Sequence, residues 1–431
     1  MTTTAMALPR GHINNLPQEL LDHVIGVNID HFDSIRSSSL VCHTWRNASL
    51  RHLFGQAHFI KRADFERWIK IASAIPQVLP LVRKASYASW EAVNCTVDGV
   101  HTPHIYLPPD IALPTMPCVT TFEWRLLRDL IRPPENVVPE EMPCFNEATE
   151  QFFKVFPGVR ELIIEDVMCE VDARKMLNHF RHLRSLIWTG CTKDTLPDAE
   201  HVAFTGDLSH LERLELSEAP RRLDWLVEDM ISRGPPPLES VILNESRIPF
   251  SPSSFTTLLR NAADTLQELK FGPPNTEEGQ EYLVAFRRDF GTFTLPALRS
   301  LAIFCIGADG SDDDKPHFSW TGSLMRDFPV SPSLKTILIS LVSYDTQGPI
   351  RTFQNTYYDW AAFSKDVHQR LPSLETFSLK IMQEVFFSDE DQAETERLVR
   401  DGMPELSPIL KFIWVDDYPH EADDGPEGPQ V

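Results

Sequence analysis

Between Val159 and Leu374 one arrangement of apolar and polar residues recurs eight times. It runs as an apolar residue, two others, an apolar residue, one other, and a further apolar residue. "FPGVRELIIEDV", "FRHLRSLIWTGC", "LSHLERLELSEA" and "LPALRSLAIFCI" are four of the copies. The leading positions are Val159, Leu183, Leu211, Leu238, Leu266, Leu298, Leu334 and Leu374, with successive steps of 24, 28, 27, 28, 32, 36 and 40 residues. "MPCVTTFEWRLL", led by Val119, is an earlier copy, and "MPELSPILKFIW", from Leu406, a looser last one. The alternation closing each copy predicts a short strand with side chains on two faces. Helix-compatible stretches lie between, such as "DARKMLNHF", "LDWLVEDMI" and "SSFTTLLRNAA". In Pro296-Ala297-Leu298 and Pro372-Ser373-Leu374, proline ends the preceding helix and sets the turn into the strand. One strand and one helix per copy predict an α/β fold. A single copy cannot bury its apolar face, so neighbours must stack.

The N-terminal region carries a helical period instead. Leu16, Leu20, Leu21, Val24 and Ile25 recur at helical spacing. Asn14 or Asn15 can cap that helix, and Pro17 is tolerated in its first turn. After a break at residues 26–33, a second helix is predicted through Ile35, Leu40 and Val41. A third runs from about His43 to Phe54, with Trp45, Ala48 and Leu53 on one side. Three helices this short cannot bury so many large apolar groups among themselves. The surplus must be covered by the rest of the chain or by a partner.

"LPQELLDHVI" followed by "SLVCHTW" resembles an F-box. Leu16, Pro17, Leu20, Leu21, Ile25, Leu40, Val41, Cys42 and Trp45 match that family's pattern one by one, while the middle loop "GVNIDHFDS" is longer than usual. The recurring segments are similar to leucine-rich repeats, whose inner periods they fit. The slot usually given to Asn or Cys is filled in this way only by Cys191. The two resemblances together imply a short three-helix F-box over residues 12–56, a helical linker over 57–81, an α/β horseshoe solenoid over 82–415, and an acidic disordered tail over 416–431. F-boxes bind the Skp adaptor of cullin-type ubiquitin ligases. The resemblance therefore implies adaptor contacts at Leu16, Pro17, Leu20, Leu21, Ile25, Leu40, Val41 and Trp45.

Charge narrows the partners. Lys and Arg total 40 against 62 Asp and Glu, so the net charge is −22. Residues 1–62 hold six basic and four acidic residues, a net of +2, which leaves −24 on the remainder. That balance argues against nucleic acid or an anionic membrane as a partner, since both need basic surface. The seven cysteines are widely scattered and lack metal-site or redox spacing, so they are expected to be reduced. The N-terminus lacks a signal-peptide pattern, and no apolar run suits a membrane span. A cytoplasmic or nuclear protein is the expectation.

Chemistry is sparse. No phosphate-binding loop or nucleophile elbow is present. The acidic run Asp309–Asp314 lacks the alternation and distal Glu of a calcium loop. His101 and His104 have nothing nearby to complete a metal site. No catalytic residue, metal or cofactor is assigned.

The expected role is a non-catalytic substrate receptor, with the F-box holding the ligase and the solenoid holding a target protein. A repeat scaffold outside any ligase is the alternative, and an α/β enzyme a weaker third. Within each repeat, residues between the apolar ones are expected on the concave side. At the middle position these include Ile163, Ile187, Glu215, Ile242 and Lys270, with Arg213 beside them. Read with the −24 of residues 63–431, that face suits a partner with an apolar anchor and basic flanks.

Overall fold

The computed structural model describes residues 18–26, 32–89, 93–97, 100–104, 112–126, 147–167, 170–191, 205–217, 223–243, 249–272, 284, 288, 293–305, 331, 333–343, 359–383 and 387–416. The chain divides into two compact units. One comprises Met1–His182 and Leu196–Gly206, the other Leu183–Thr195 and Asp207–Val431. Both are α/β, as the alternating pattern predicts, and each holds a run of parallel strands.

The first unit opens with helices α1 (Gln18–Gly26), α2 (Phe32–Ser38) and α3 (His43–Phe54). Leu21, Ile25, Ile35 and Ala48 form their own small core, with Trp45 and Leu53 packed against it. Leu21 and Ile25 stand four residues apart and so share one face of α1.

Strand β1 (Gln56–Phe59) follows, then α4 (Arg62–Ala74), a 3-10 turn (Pro76–Leu81) and β2 (Lys84–Ser89). A hairpin of β3 (Val93–Val97) and β4 (Val100–His104) precedes β5 (Thr121–Leu126), α5 (Glu147–Phe153), β6 (Glu161–Val167) and α6 (Glu170–Leu177). β1, β2, β5 and β6 pair in parallel in that order. The segment read as a helical linker thus also holds most of β1. This strand is short, and Ala57 and Phe59 are its only inward residues. An aromatic cluster fills the space between strands and helices. The Phe122 ring lies 5.1 to 5.9 Å from those of Phe152, Phe153, Phe156 and Phe180.

The second unit holds β7 (Ser185–Cys191), β8 (Arg213–Ser217), α7 (Asp224–Ser232), β9 (Ser240–Leu243), α8 (Pro252–Asn261), β10 (Glu268–Phe271) and β11 (Ser300–Cys305). β12 (Thr336–Ser343), α9 (Trp360–Arg370), β13 (Thr376–Gln383), α10 (Asp389–Gly402) and β14 (Leu410–Asp416) complete it. These eight strands pair in parallel in chain order. The register aligns Leu186, Leu214, Val241, Leu269, Leu301, Ile337, Phe377 and Leu410 in one buried row. Helices cover that face: the Phe255 ring of α8 is 5.6 Å from Phe271, and that of Phe363 of α9 is 6.2 Å from Phe377.

Successive copies are also joined at the start of their strands. The carbonyl of Arg184 accepts from the amides of both Glu212 and Arg213, and that of Glu212 accepts from Glu239 and Ser240. Glu239, Gln267, Arg299 and Lys335 repeat the arrangement, and Gly55, Arg83 and Thr120 do the same in the first unit, all at 2.7 to 3.2 Å. Each oxygen uses both of its lone pairs. Because the seam is backbone to backbone, it places no demand on side-chain identity. The copies can therefore lack an Asn or Cys ladder without losing this connection.

A buried hydroxyl supports the last copies. Ser364 Oγ accepts from the amides of Glu405 and Leu406, both at 3.1 Å. Ser364→Ala should leave two amides unsatisfied and cost about 2 kcal/mol in denaturant unfolding. Ser364→Thr keeps the acceptor and should recover part of that loss; equal stability of the Ala variant and the parent would refute the role.

Candidate docking surfaces

The adaptor candidates separate by burial. Leu16 and Pro17 lie outside the described residues. Leu21 and Ile25 are buried in the three-helix core, and Trp45 leans against it. Helix amphipathicity alone could not divide these roles, because the contacts of α1 and α2 with α3 decide which stripe turns inward. Leu20 is 51% exposed, Leu40 83% and Val41 62%. Val24, which follows Leu20 by one helical turn, is 44% exposed. Leu40 and Val41 sit in the turn between α2 and α3, where the amides of both bond back to the second helix, Leu40 to Ser37 and Val41 to Ser38. The turn is thus held while its two aliphatic side chains stay in solvent. Four of the seven large hydrophobic residues exposed among the described residues belong to this bundle.

The target candidates form rows. In the second unit, Ile187, Glu215, Ile242, Lys270, Ala302, Leu338, Ser378 and Lys411 are Cα partners across seven consecutive strand pairs. Their side chains alternate with the buried rows and so lie opposite the helices. Ile187 is half-buried, whereas Ile242 is almost fully covered. Arg213, one alternation earlier on β8, is exposed and bonds Glu215 at 2.6 Å. Lys270 lies 4.4 Å above the Phe304 ring. Burial lowers its pKa most, against the pull of Glu215; Lys380 lowers it further and Glu268 raises it.

Ile163 belongs to the first unit and stands in the row Ser86–Glu123–Ile163. Sequence reading missed its neighbour Glu123, a buried carboxylate. Lys84 Nζ lies 2.7 Å from one Glu123 oxygen, and Arg125 pairs with the other and reaches Glu165 at 2.8 Å. Burial alone would raise the Glu123 pKa; Lys84 and Arg125 outweigh it and bring it below the ordinary value. A depressed carboxylate stabilises the fold above its unfolded pKa, and that stabilisation is lost as pH falls through the folded value. Melting curves recorded from about pH 6 down to pH 3 should therefore fall more steeply for the parent than for Glu123→Gln. Parallel curves would sink this assignment.

His58 Nδ1 and Ser86 Oγ are 2.6 Å apart in the same row. In that row Glu123 engages Lys84 and Arg125 rather than the imidazole. Among the described residues, no group of three or more His, Cys, Asp or Glu could hold a metal ion. No described helix is long and apolar enough to cross a membrane. His101 and His104 fall on β4. The acidic run at 309–314 and residues 417–431 of the tail lie outside the described residues.

No protein-family model matches the chain, and a search of curated proteins finds no significant match.

Proposed function

We propose that this protein is the substrate-recognition subunit of a cullin-type ubiquitin ligase. In this reading the N-terminal bundle is an F-box that docks on a Skp adaptor. The strand-and-helix copies form a leucine-rich-repeat solenoid whose strand face, opposite the described helices, holds a target protein. The protein transfers nothing itself. It raises the concentration of the target beside the conjugating enzyme, as any bivalent tether does.

One observation carries the reading: a bundle with a core of its own leaves Leu20, Val24, Leu40 and Val41 in solvent. An isolated exposed aliphatic residue needs no explanation. Four of them on so small a bundle are apolar surface suited to a partner. They include three residues that the F-box pattern marks for adaptor contact.

The test uses the full chain. Mixed with a purified Skp-type adaptor, it should elute as a complex on size exclusion. The protein should also pull down a cullin when the adaptor is present and fail to do so without it. If no complex forms at micromolar concentrations, the ligase reading is wrong and a scaffold outside any ligase becomes the better one.

A further inference from the structure

Resting on that target-receptor reading, we propose that the face of β11–β14 opposite the described helices binds an extended, Asp- and Glu-rich segment of the target. The chain as a whole is strongly acidic, with a net charge of −22. This face has the opposite sign. Its outward strand positions include Lys380 and Lys411, and Asp and Glu are absent from them. Lys270 adds a third positive charge from β10. Neither Lys380 nor Lys411 has a carboxylate partner among the described residues. Lys270 is shared with Glu215 and Glu268.

Two further features favour a bound segment over a merely solvated face. Ser340 stands between Phe304 and Lys380 in the register, is 1% exposed, and its hydroxyl lacks a hydrogen-bond partner. A buried unpaired hydroxyl is costly, and an arriving acceptor would relieve it. Ile413, opposite Lys380 on β14, is 42% exposed and offers apolar contact beside the charges.

Geometry selects the ligand. Lys270 and Lys411 are four strands apart, about 19 Å at the usual strand spacing. An extended peptide covers that distance in roughly six residues. Lysines spread over such a length suit several separate carboxylates. A single phosphate is better met by converging arginine forks, and arginine is absent from these positions. The acidic residues 416–431 of this chain are a competing occupant, because they continue directly from β14.

The experiment measures fluorescence anisotropy of a labelled dodecaglutamate peptide with the full chain at about 50 mM salt, where charge contacts are strong. Dodecalysine and a singly phosphorylated neutral peptide are the comparisons. The expected result is binding of dodecaglutamate alone, weakened at least tenfold by Lys380→Glu with Lys411→Glu. Both side chains stand on the face opposite the described helices, Lys411 exposed and Lys380 half-buried, so the melting temperature should hold. Lys411→Gln alone should weaken binding by a smaller factor, and it serves if the double variant fails to fold. Equal binding of dodecalysine would overturn the proposal, as would tighter binding of the phosphopeptide. Binding that appears only after residues 417–431 are removed would assign the face to the tail instead. Adaptor capture by the same double variant is scored separately. Its retention with loss of peptide binding supports the proposal. Failure of the parent to capture the adaptor removes the ligase reading and leaves the peptide result to decide the face.

Discussion

Replacing Leu40 and Val41 together by aspartate should abolish adaptor capture and leave the melting temperature nearly unchanged. Both side chains are more than half exposed, so the folded chain alone loses little when they become polar. In a complex the same positions would be desolvated anchors. Losing one such anchor typically costs about 2 kcal/mol, or roughly 30-fold in affinity. Two adjacent losses are not strictly additive, yet a buried charge at each position should take binding below detection. Leu21→Ala is the informative contrast. It empties part of the bundle core and should cost about 2 to 5 kcal/mol of stability, so any loss of capture would come with melting. Undiminished capture by the Leu40, Val41 variant would remove this turn from the interface.

Phe122→Ala should be the most damaging single change in the first unit. The ring is fully buried near the amino end of β5 and meets aromatic rings from α5 and from the segments after α5 and α6. Truncating such a residue costs about 3 to 5 kcal/mol, a large share of the stability of an ordinary domain. Denaturant unfolding followed by tryptophan emission reports on it, because Trp68 and Trp124 belong to the same aromatic region. Phe122→Leu keeps most of the volume and should lose less. A loss under about 1 kcal/mol for the alanine variant would mean that the cluster collapses to fill the gap.

The strands from β5 onward were legible because leucine and isoleucine recur at fixed offsets from each leading residue. Six strand pairings in the second unit, from β7 to β13, hold the register that those offsets imply, although the steps between leading residues lengthen from 28 to 40. The last copy shows why it looked loose. Leu374 precedes its paired residue Phe377 by three, whereas Leu406 precedes the partner Leu410 by four, with a 3-10 turn taking up the extra residue. β1 and β2 were less visible. Their inward positions include Ala57 and Ala85, which carry too little apolar bulk to stand out in a sequence. Glu123 was hidden for a different reason. A carboxylate on a strand reads as solvent-facing until the lysine and arginine beside it come together in space. The opposite sign of the β11–β14 face was likewise invisible to a whole-chain charge, because Lys380 and Lys411, 31 residues apart in sequence, come onto one face with Lys270 of β10 only through strand pairing.

The paired-amide seam at the start of each strand sets where this protein tolerates growth. Within each unit the shared carbonyls lie at the amino ends of the strands. Chain added between the carboxyl end of one strand and the following helix does not interrupt them. In the longest step, 40 residues, the stretch 344–358 lies on that side, between β12 and α9. A small folded reporter inserted between Ser343 and Asp359 should leave both neighbouring pairings whole, whereas two residues inserted after Lys335 would sever the shared carbonyl from its amides. The architecture thus keeps time by strands rather than by residues, and it offers a ready place to acquire new loops without renegotiating the fold.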